Sequence, residues 1–520
     1  MKRRKKVKEY IALHPVMTFL IIIFAVIILS GILALFNVSV TYKTLNPQRM
    51  DYSTTTESVN SMFNLRGIKY IFSNTVSNFA NFTVLPHLII VLIGLGVMDY
   101  SGFLKLAVEL LTKKAKKKVM TFVIVFVCVL ASIVDNLPFI AFIPLAALIF
   151  KYGKRNPNIG IIASFAGLTS GYGLSVFFTA VDSALGKMTS LASSVLYQNY
   201  YIRQVSMTLI MSVAIILVTL AITAITENII ARKLPKYEFE EGKSDEEETE
   251  KEDKLTKPQI RGLLLAGLGS IIYLIIFIYN IIPGLPFSGK FLNYSEVRYI
   301  DKLFGADSFF ANGFVFIITM LFIILGLLYG IGAKTIKNNR EFVESLGSSL
   351  NGIGKTLVLI FASSTFISIF KQTNLGNVIV AFLTNTIANS GFSGLALVIL
   401  LFVFSAIATI FVPTSLAKWT IMSSQVVPTF LNVGISAEFA QLVFRFGECV
   451  TLGLTPVFAY YIIYLAYLEK YNQNKKTMNM YTAFKYQLPY SLCTGGILLA
   501  LLIIWYIISI PLGIGGSVAI

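Results

Sequence analysis

Apolar stretches of about 20 residues recur along this chain, and each is long enough to cross a hydrocarbon layer of about 30 Å as a helix. Lipid cannot hydrogen-bond a free backbone, so stretches that cross it must be helical. Only 13% of the residues are charged, whereas a soluble domain carries about 25%. The alternating pattern of an outer-membrane barrel is absent. The sequence therefore predicts an all-α polytopic membrane protein.

Positive charge lies in short clusters beside the apolar stretches, at residues 2–6, 113–118 and 151–155. The formal net charge of +17 would suggest a nucleic-acid partner in a soluble protein. Basic clusters at the ends of membrane spans are instead typical of cytoplasmic loops. We therefore predict a multi-pass protein of the plasma (inner) membrane with a cytoplasmic N-terminus and no nucleic-acid partner. The first apolar stretch, 16–36, lacks a cleavage motif and is interpreted as a retained span.

The apolar stretch 119–150 has basic clusters at both of its ends. It is too long for one span and too short for two, which need about 20 residues each plus a turn. Residues 135–138, Asp-Asn-Leu-Pro, interrupt it near the middle, and proline disfavours helix in the residue before it. This pattern predicts a re-entrant hairpin that returns to the side from which it entered.

The same order of elements occurs twice: span, interfacial helix, hairpin, broken helix and span. The first set is 84–98, 100–112, 119–150, 159–200 and 204–229, and the second is 354–370, 376–389, 393–434, 438–465 and 486–509. The first set begins from outside and the second from inside, which is the inverted repeat of many secondary transporters. With the remaining stretches, we predict nine transmembrane helices plus two re-entrant helical hairpins.

The predicted organisation has five parts. They are an N-terminal tail, first span and external segment (1–83, interfacial at 67–81), a first repeat (84–232), a charged cytoplasmic linker (233–261), two connecting spans with an external loop (262–353) and a second repeat (354–510). The linker is poor in apolar residues and is expected to be flexible.

Breaks inside membrane helices leave backbone groups without partners, at a cost of several kcal/mol each unless protein, ions or water satisfy them. Half-helix ends can hold an anionic group and a cation side by side. We therefore expect the small-molecule substrate at the breaks. The candidate substrate-binding residues are Asn136, Ser170, Gly171, Asp182, Ser415, Lys418, Trp419, Arg445, Glu448 and Thr451.

Roles follow from the chemistry of these side chains. Lys418 or Arg445 would attract a carboxylate, and Trp419 would stack on an aromatic ring, which contributes roughly 0.5–1.5 kcal/mol beyond burial. Asp182 or Glu448 would carry a coupling proton. Alternatively, a sodium ion would be held by Asn136, Ser415 and Thr451. Beyond the coupling ion, no cofactor is expected.

Each charged candidate also has a purely structural interpretation. Asp182 is compatible with a helix cap near the external surface, and Arg445 with Glu448 is compatible with an ion pair on one helix face. Lys418 is compatible with a side chain that snorkels outward, and Trp419 with an interfacial anchor. The pattern leaves these alternatives open.

Enzymatic chemistry is not expected. A membrane hydrolase or protease would need a Ser–His pair or a histidine-rich metal site. The chain has two histidines, His14 and His87, and three cysteines that form no metal spacing.

Five long motifs resemble the p-aminobenzoyl-glutamate transporter (AbgT) family over roughly residues 10–510. They are GLGVMDYSGFL at 94–104, FIPLAALIF at 142–150, NPNIGIIASFAGLTSGYG at 156–173, LAKWTIM at 416–422 and FRFGECVTLGLTP at 444–456. The resemblance implies nine transmembrane helices, two hairpins and a bowl-shaped homodimer. It also implies ion-coupled transport, of folate catabolites by some members and of sulfonamide antimetabolites by others. The residues that matter in the family fall on Asp182, Trp419, Arg445 and Glu448.

Four positions depart from the family pattern. Leu416 stands where the family usually has Ser, Asn136 where it has Asp, Glu448 where it has a shorter carboxylate, and Ala437 where it has Pro. These changes bear on the substrate and the coupling ion and leave the scaffold intact. We predict a secondary active transporter for a small aromatic or carboxylate-bearing solute. The alternative is a sodium-coupled dicarboxylate transporter of similar hairpin architecture.

Overall fold

The computed structural model describes residues 13–46, 51–114, 116–131, 136–176, 179–198, 200–239, 255–305, 308–473 and 478–520. This part of the chain is mostly helical, as predicted. In it, eight helices are long and apolar enough to cross a membrane: Pro15–Leu35, Leu65–Tyr100, Val205–Lys233, Lys257–Ile281, Asn312–Ala333, Gly354–Gln372, Gly394–Phe411 and Met480–Ile508. Seven of them coincide with predicted spans, and the eighth is an arm of the second predicted hairpin.

The N-terminal part consists of one long helix followed by a strand pair. Helix α1 (Pro15–Leu35) begins with a proline, whose missing N–H is not needed at the first helical position. Strands β1 (Ser39–Asn46) and β2 (Asp51–Ser58) then pair antiparallel. Their threonines hydrogen-bond across the pair, for example Thr41 Oγ1 with Thr56 Oγ1 at 2.8 Å. The fold is therefore not wholly helical, and this sheet was not predicted.

The first half of the chain continues with an amphipathic helix and then the predicted order. The helices are α2 (Leu65–Ala80), α3 (Val84–Tyr100), α4 (Phe103–Lys114), α5 (Lys117–Leu130), α6 (Pro138–Tyr152), α7 (Pro157–Gly171), α8 (Ala180–Ser193), α9 (Thr208–Ile225) and, after a π-turn, α10 (Ala231–Lys233). The break between α5 and α6 lies at the predicted hairpin tip. Asp135 belongs to this tip and lies outside the described residues.

The connecting helices and the second half follow the same plan. The connecting helices are α11 (Lys257–Ile281), α12 (Tyr299–Phe304), α13 (Phe309–Ala333) and α14 (Asn339–Ser348). The second half comprises α15 (Gly354–Gln372), α16 (Leu375–Ala388), α17 (Gly394–Phe411), α18 (Ser415–Asn432), α19 (Ala437–Thr451), α20 (Tyr461–Lys470) and α21 (Met480–Ile508). We call α5 with α6 hairpin 1, and α17 with α18 hairpin 2.

Corresponding helices of the two halves make corresponding contacts. Helix α5 packs against α7 and α9, and α17 packs against α19 and α21. The second arm of each hairpin packs across onto the other half of the chain, α6 against α20 and α18 against α8. This exchange places the start of α6 beside the second break, where the ring centroids of Phe139 and Phe458 are 5.0 Å apart. The start of α18 lies beside the first break, where Arg445 contacts both Ser415 and Tyr172.

Two helical traverses are interrupted. Helix α7 ends at Gly171, and α8 begins at Ala180 after the capping residue Thr179. Helix α19 ends in a 3₁₀ turn at Leu452–Leu454. Helices α7 and α19 have 15 residues each, α8 has 14 and α20 has 10. At 1.5 Å per residue each half is about 23 Å or less, so neither half crosses a hydrocarbon layer of about 30 Å alone.

The first residues of the predicted linker pack against the rest of the protein. They lie beside the end of α20, where Gln473 Nε2 donates to Glu238 O at 2.6 Å and Glu238 N donates to Gln473 Oε1 at 2.8 Å. Most of the linker, residues 240–254, lies outside the described residues.

Candidate functional site

Four charged side chains meet where α8, α18 and α19 converge. Lys418 Nζ lies 2.8 Å from Glu448 Oε1, and both side chains are 0% exposed. Arg445 Nη1 lies 3.0 Å from Glu448 Oε2, and Arg445 Nε lies 3.4 Å from Asp182 Oδ1. We call Asp182, Lys418, Arg445 and Glu448 the buried charge cluster. Its two cations and two carboxylates cancel, which is how a low-dielectric interior tolerates ionised groups.

Neutral groups complete the cluster. Ser415 Oγ donates to Glu448 Oε2 at 2.9 Å and accepts from Arg445 Nη1 at 2.9 Å. Arg445 Nη2 donates to the carbonyl of Tyr172 at 3.0 Å, just past the end of α7. Carbonyls at a helix end lack intrahelical partners, so the guanidinium satisfies the first break while it pairs with two carboxylates. Ser415 is the first residue of α18 and links the tip of hairpin 2 to the cluster.

Lys418 is held from the opposite arm of hairpin 2. Its Nζ donates to Thr409 Oγ1 of α17 at 2.6 Å and lies 5.6 Å from the ring centroid of Phe444. The side chain points inward and is fully buried. The snorkelling interpretation of Lys418 is therefore wrong for this conformation.

Trp419 lies in the interior and not at a membrane interface. It is 0% exposed, and its indole Nε1 donates to Thr189 Oγ1 of α8 at 2.8 Å. Thr189 Oγ1 donates in turn to Gln441 Oε1 of α19 at 2.6 Å. The ring centroid lies 4.5 Å from that of Phe444. Trp419 thus joins α18 to α8 and α19, and in this conformation its ring packs on protein.

The remaining predicted site residues lie apart from the charges. Thr451 Oγ1 donates to Ala406 O at 2.5 Å, and Ser170 Oγ accepts from Thr494 at 3.1 Å. Gly171 packs directly on the backbone of α5. Asn136 Oδ1 is buried and accepts no hydrogen bond from the described residues. Among the described residues, no hydrogen bond joins Asn136 to Ser415 or Thr451.

Several residues of the site carry no signal in the sequence. Thr189, Gln441 and Thr409 are ordinary polar residues on apolar helices, and only the packing of distant helices makes them partners. Tyr172 contributes its backbone carbonyl, which no residue type encodes. The adjacent Gly173 does carry a signal, because a side chain there would clash with the carbonyl of Arg445.

A small cavity borders the cluster on the side of Asp182. It has a volume of about 30 Å³, enough for one or two water molecules, and is lined by Asp182, Lys187, Arg298 and Gln441 among others. The Asp182 side chain is 16% exposed, in contrast to 0% for Glu448. Asp182 is therefore the member of the cluster nearest to solvent.

A second group of charges lies beside this cavity, where the loop between α11 and α13 covers α8. Asp301 of α12 accepts from Ser183 Oγ at 2.6 Å and lies 3.2 Å from Lys187 Nζ and 3.5 Å from Arg298 Nε. Burial alone would raise the pKa of Asp301, but the hydrogen bond from Ser183 and the two cations outweigh it and hold the pKa below its ordinary value. We call Ser183, Lys187, Arg298 and Asp301 the loop cluster.

A much larger cavity, of about 1080 Å³, opens at the other end of the broken helix, near the start of α7. Lysines and tyrosines line it, among them Lys151, Tyr152, Lys470 and Tyr471. None of the buried charge cluster lines this cavity. Among the described residues, no group of three or more His, Cys, Asp or Glu side chains could hold a metal ion.

The fold is an apolar helical bundle, and neutralised charges lie at its interrupted helices. These features define a polytopic membrane protein with a polar site in its interior. The chain belongs to the AbgT putative transporter family, whose model matches residues 9–520. It is a membrane transporter and not an enzyme.

Individual relatives are distant but match over nearly the whole length. The p-aminobenzoyl-glutamate transport protein of Escherichia coli (strain K12) is 24% identical over 502 residues, covering 96% of this chain and 94% of that protein. The crystal structure of the Alcanivorax borkumensis YdaH transporter is 23% identical and covers 96% of this chain and 100% of that chain, with a TM-score of 0.48. The structure of Neisseria gonorrhoeae MtrF, described as representing a class of antimetabolite efflux pumps, is 27% identical to this chain. The match covers 95% of this chain and 96% of that chain, with a TM-score of 0.47.

Proposed function

We propose that this protein is a secondary active transporter that moves a small aromatic or carboxylate-bearing solute across the plasma membrane by ion-coupled alternating access. Solutes of this class include folate catabolites, which would be imported, and antimetabolites, which would be exported. The observation that carries the proposal is the buried charge cluster, in which two cations lie between the tip of hairpin 2 and the break that follows α7. A carboxylate of the solute would bind the same cations that Glu448 and Asp182 now neutralise.

The difference between the two carboxylates supports a coupling role for Asp182. It borders the small cavity, whereas Glu448 is enclosed by Lys418, Arg445 and Ser415. Protonation of Asp182 would leave Arg445 Nε, which lies 3.4 Å from Asp182 Oδ1 and forms no hydrogen bond, to pair with a solute carboxylate. The cluster with one added proton and one bound carboxylate would again have no net charge. Proton and carboxylate would then favour each other's binding, which is a favourable coupling free energy between two sites. This balance favours co-transport of the two.

Sodium coupling through Asn136, Ser415 and Thr451 stays an untested prediction. Substrate stacking on Trp419 requires that hairpin 2 move away from Phe444, which rocking of the hairpins during alternating access would supply. The sodium-coupled dicarboxylate alternative gains no support, because the family match is to AbgT. A homodimer also stays a prediction.

The proposal is tested in proteoliposomes with radiolabelled p-aminobenzoyl-glutamate. We expect an imposed pH gradient to drive uptake by the wild type. Lys418→Gln should abolish uptake, and the Asp182→Asn variant should bind solute but show no response of uptake to the pH gradient. Lys485→Gln, which removes an exposed lysine on α21, is the matched control and should transport normally. Uptake that responds to neither a proton nor a sodium gradient would overturn secondary transport.

A further inference from the structure

The large cavity is a concave site separate from the buried charge cluster. It lies between the ends of α3, α4, α6 and α20 and the segment that follows α10. At about 1080 Å³ it is as large as the pockets that hold small organic ligands. We call this cavity the vestibule.

Positive charge is in excess in the vestibule. Four lysines line it, Lys105, Lys151, Lys154 and Lys470, against two carboxylates, Asp99 and Glu109. All four lysines are exposed. Within the described residues, none of them has a carboxylate oxygen within 4.0 Å, and Asp99 already accepts a hydrogen bond from Tyr152. A cleft lined by one sign of charge concentrates ions of the opposite sign.

Aromatic rings stand beside these cations. Lys470 Nζ lies 5.5 Å from the ring centroid of Tyr467 and 6.0 Å from that of Tyr471. Lys151 Nζ lies 6.0 Å from the ring centroid of Tyr152. Tyr237 also lines the wall. The vestibule therefore offers flat surfaces for a ring and ammonium groups for a carboxylate, within one cavity.

We propose that the vestibule is a second, weaker binding site for aromatic carboxylate anions, separate from the buried charge cluster. The identity of the solute rests on the proposed function, but the chemistry of the vestibule does not. Binding there depends on exposed lysines in contact with water, so it is sensitive to salt. Binding at the buried charge cluster depends on desolvated charges and is much less sensitive to salt.

Equilibrium binding of radiolabelled p-aminobenzoyl-glutamate to the detergent-purified protein separates the two sites without requiring transport. We expect two classes of site in the wild type. Lys151→Gln with Lys470→Gln should weaken the weaker class roughly tenfold and leave the tighter class unchanged. High salt should likewise weaken binding to the weaker class of site in the wild type and leave the tighter class unchanged. Lys418→Gln should remove the tighter class alone.

Two controls guard against a merely structural effect. Lys485 Nζ lies 4.3 Å from the ring centroid of Tyr481, so Lys485→Gln removes an equivalent lysine–tyrosine pair outside the vestibule. Lys151→Arg with Lys470→Arg keeps the charges and should retain weak binding. The proposal is overturned if the glutamine pair binds like Lys485→Gln, or if it weakens an uncharged benzamide analogue as much as the anion. Failure of transport with both binding classes intact would count against the proposed function alone.

Discussion

Glu448 is the residue on which the interior charges depend. Its carboxylate is shared by Lys418, Arg445 and Ser415, all at distances between 2.8 and 3.0 Å. Breaking a buried ion pair by removing one partner leaves an unpaired charge, which costs about 3–5 kcal/mol, whereas replacing both partners is often nearly neutral. The Glu448 carboxylate reaches both cations at once.

Glu448→Gln is therefore expected to lower the free energy of unfolding by roughly 3 kcal/mol, because Lys418 loses its counter-charge. The double variant Lys418→Gln with Glu448→Gln should lose less than the sum of the two single variants, since no unpaired ammonium is left. Thermal or denaturant unfolding of the detergent-solubilised protein measures the stability of all three variants. Additive losses would show that the two side chains do not act as a pair.

At the scale of elements, the loop cluster fastens one helix to another. Asp301 lies on the short helix α12, and its partners Ser183 and Lys187 lie on α8, the second half of a broken helix. The carboxylate side chain is 8% exposed. The cluster therefore restrains the loop that covers Asp182 from that side.

This arrangement gives the stability a defined pH dependence. The pKa of Asp301 is lowered in the folded protein, so its stabilising contribution is complete above the ordinary carboxyl pKa of about 4. The contribution is lost as the pH falls through the lower, folded value. Asp301→Asn should melt at a lower temperature than wild type at pH 7, and the difference should shrink towards pH 3. Asp51→Asn, at an exposed strand residue, is the control. A difference independent of pH would rule out this origin.

The elements also show how far sequence reasoning reaches. Helix breaks are visible because Pro, Gly and polar residues interrupt apolar stretches, and their charged residues do meet in the cluster. The strands escaped prediction because the second, Asp51–Ser58, is almost wholly polar and shows no apolar alternation. The bond from Trp419 to Thr189 joins residues 230 positions apart, so only the packing of α18 on α8 reveals it.

The whole molecule has the contacts expected of two similar halves, with the second arm of each hairpin packed on the opposite half. If the halves are inverted, both ends of hairpin 1 lie on one side of the membrane. Arg155 is a poor reporter of that side, because it is 8% exposed and pairs with Glu227 at 2.7 Å. Lys118 and Lys154 are exposed and flank the same hairpin.

Cysteines placed at Lys118 and Lys154, in a background lacking Cys128, Cys449 and Cys493, are expected to react with an impermeant reagent from the same side. A cysteine at Lys290, in the loop after α11, should react from the opposite side. Intact cells and inside-out vesicles supply the two orientations. Labelling of the two hairpin positions from different sides would exclude a re-entrant hairpin 1.

The cancellation of charge in the buried cluster has an electrical consequence. A carrier whose interior groups sum to zero feels no force from the membrane voltage as it rearranges empty, although one uncompensated charge moved across 100 mV would contribute about 2.3 kcal/mol. Voltage then acts on the cargo alone. In the proposed proton-coupled cycle, a monoanion accompanied by one proton would cross without net charge movement, whereas a dianion with one proton would carry current. The current would then report the charge of the solute.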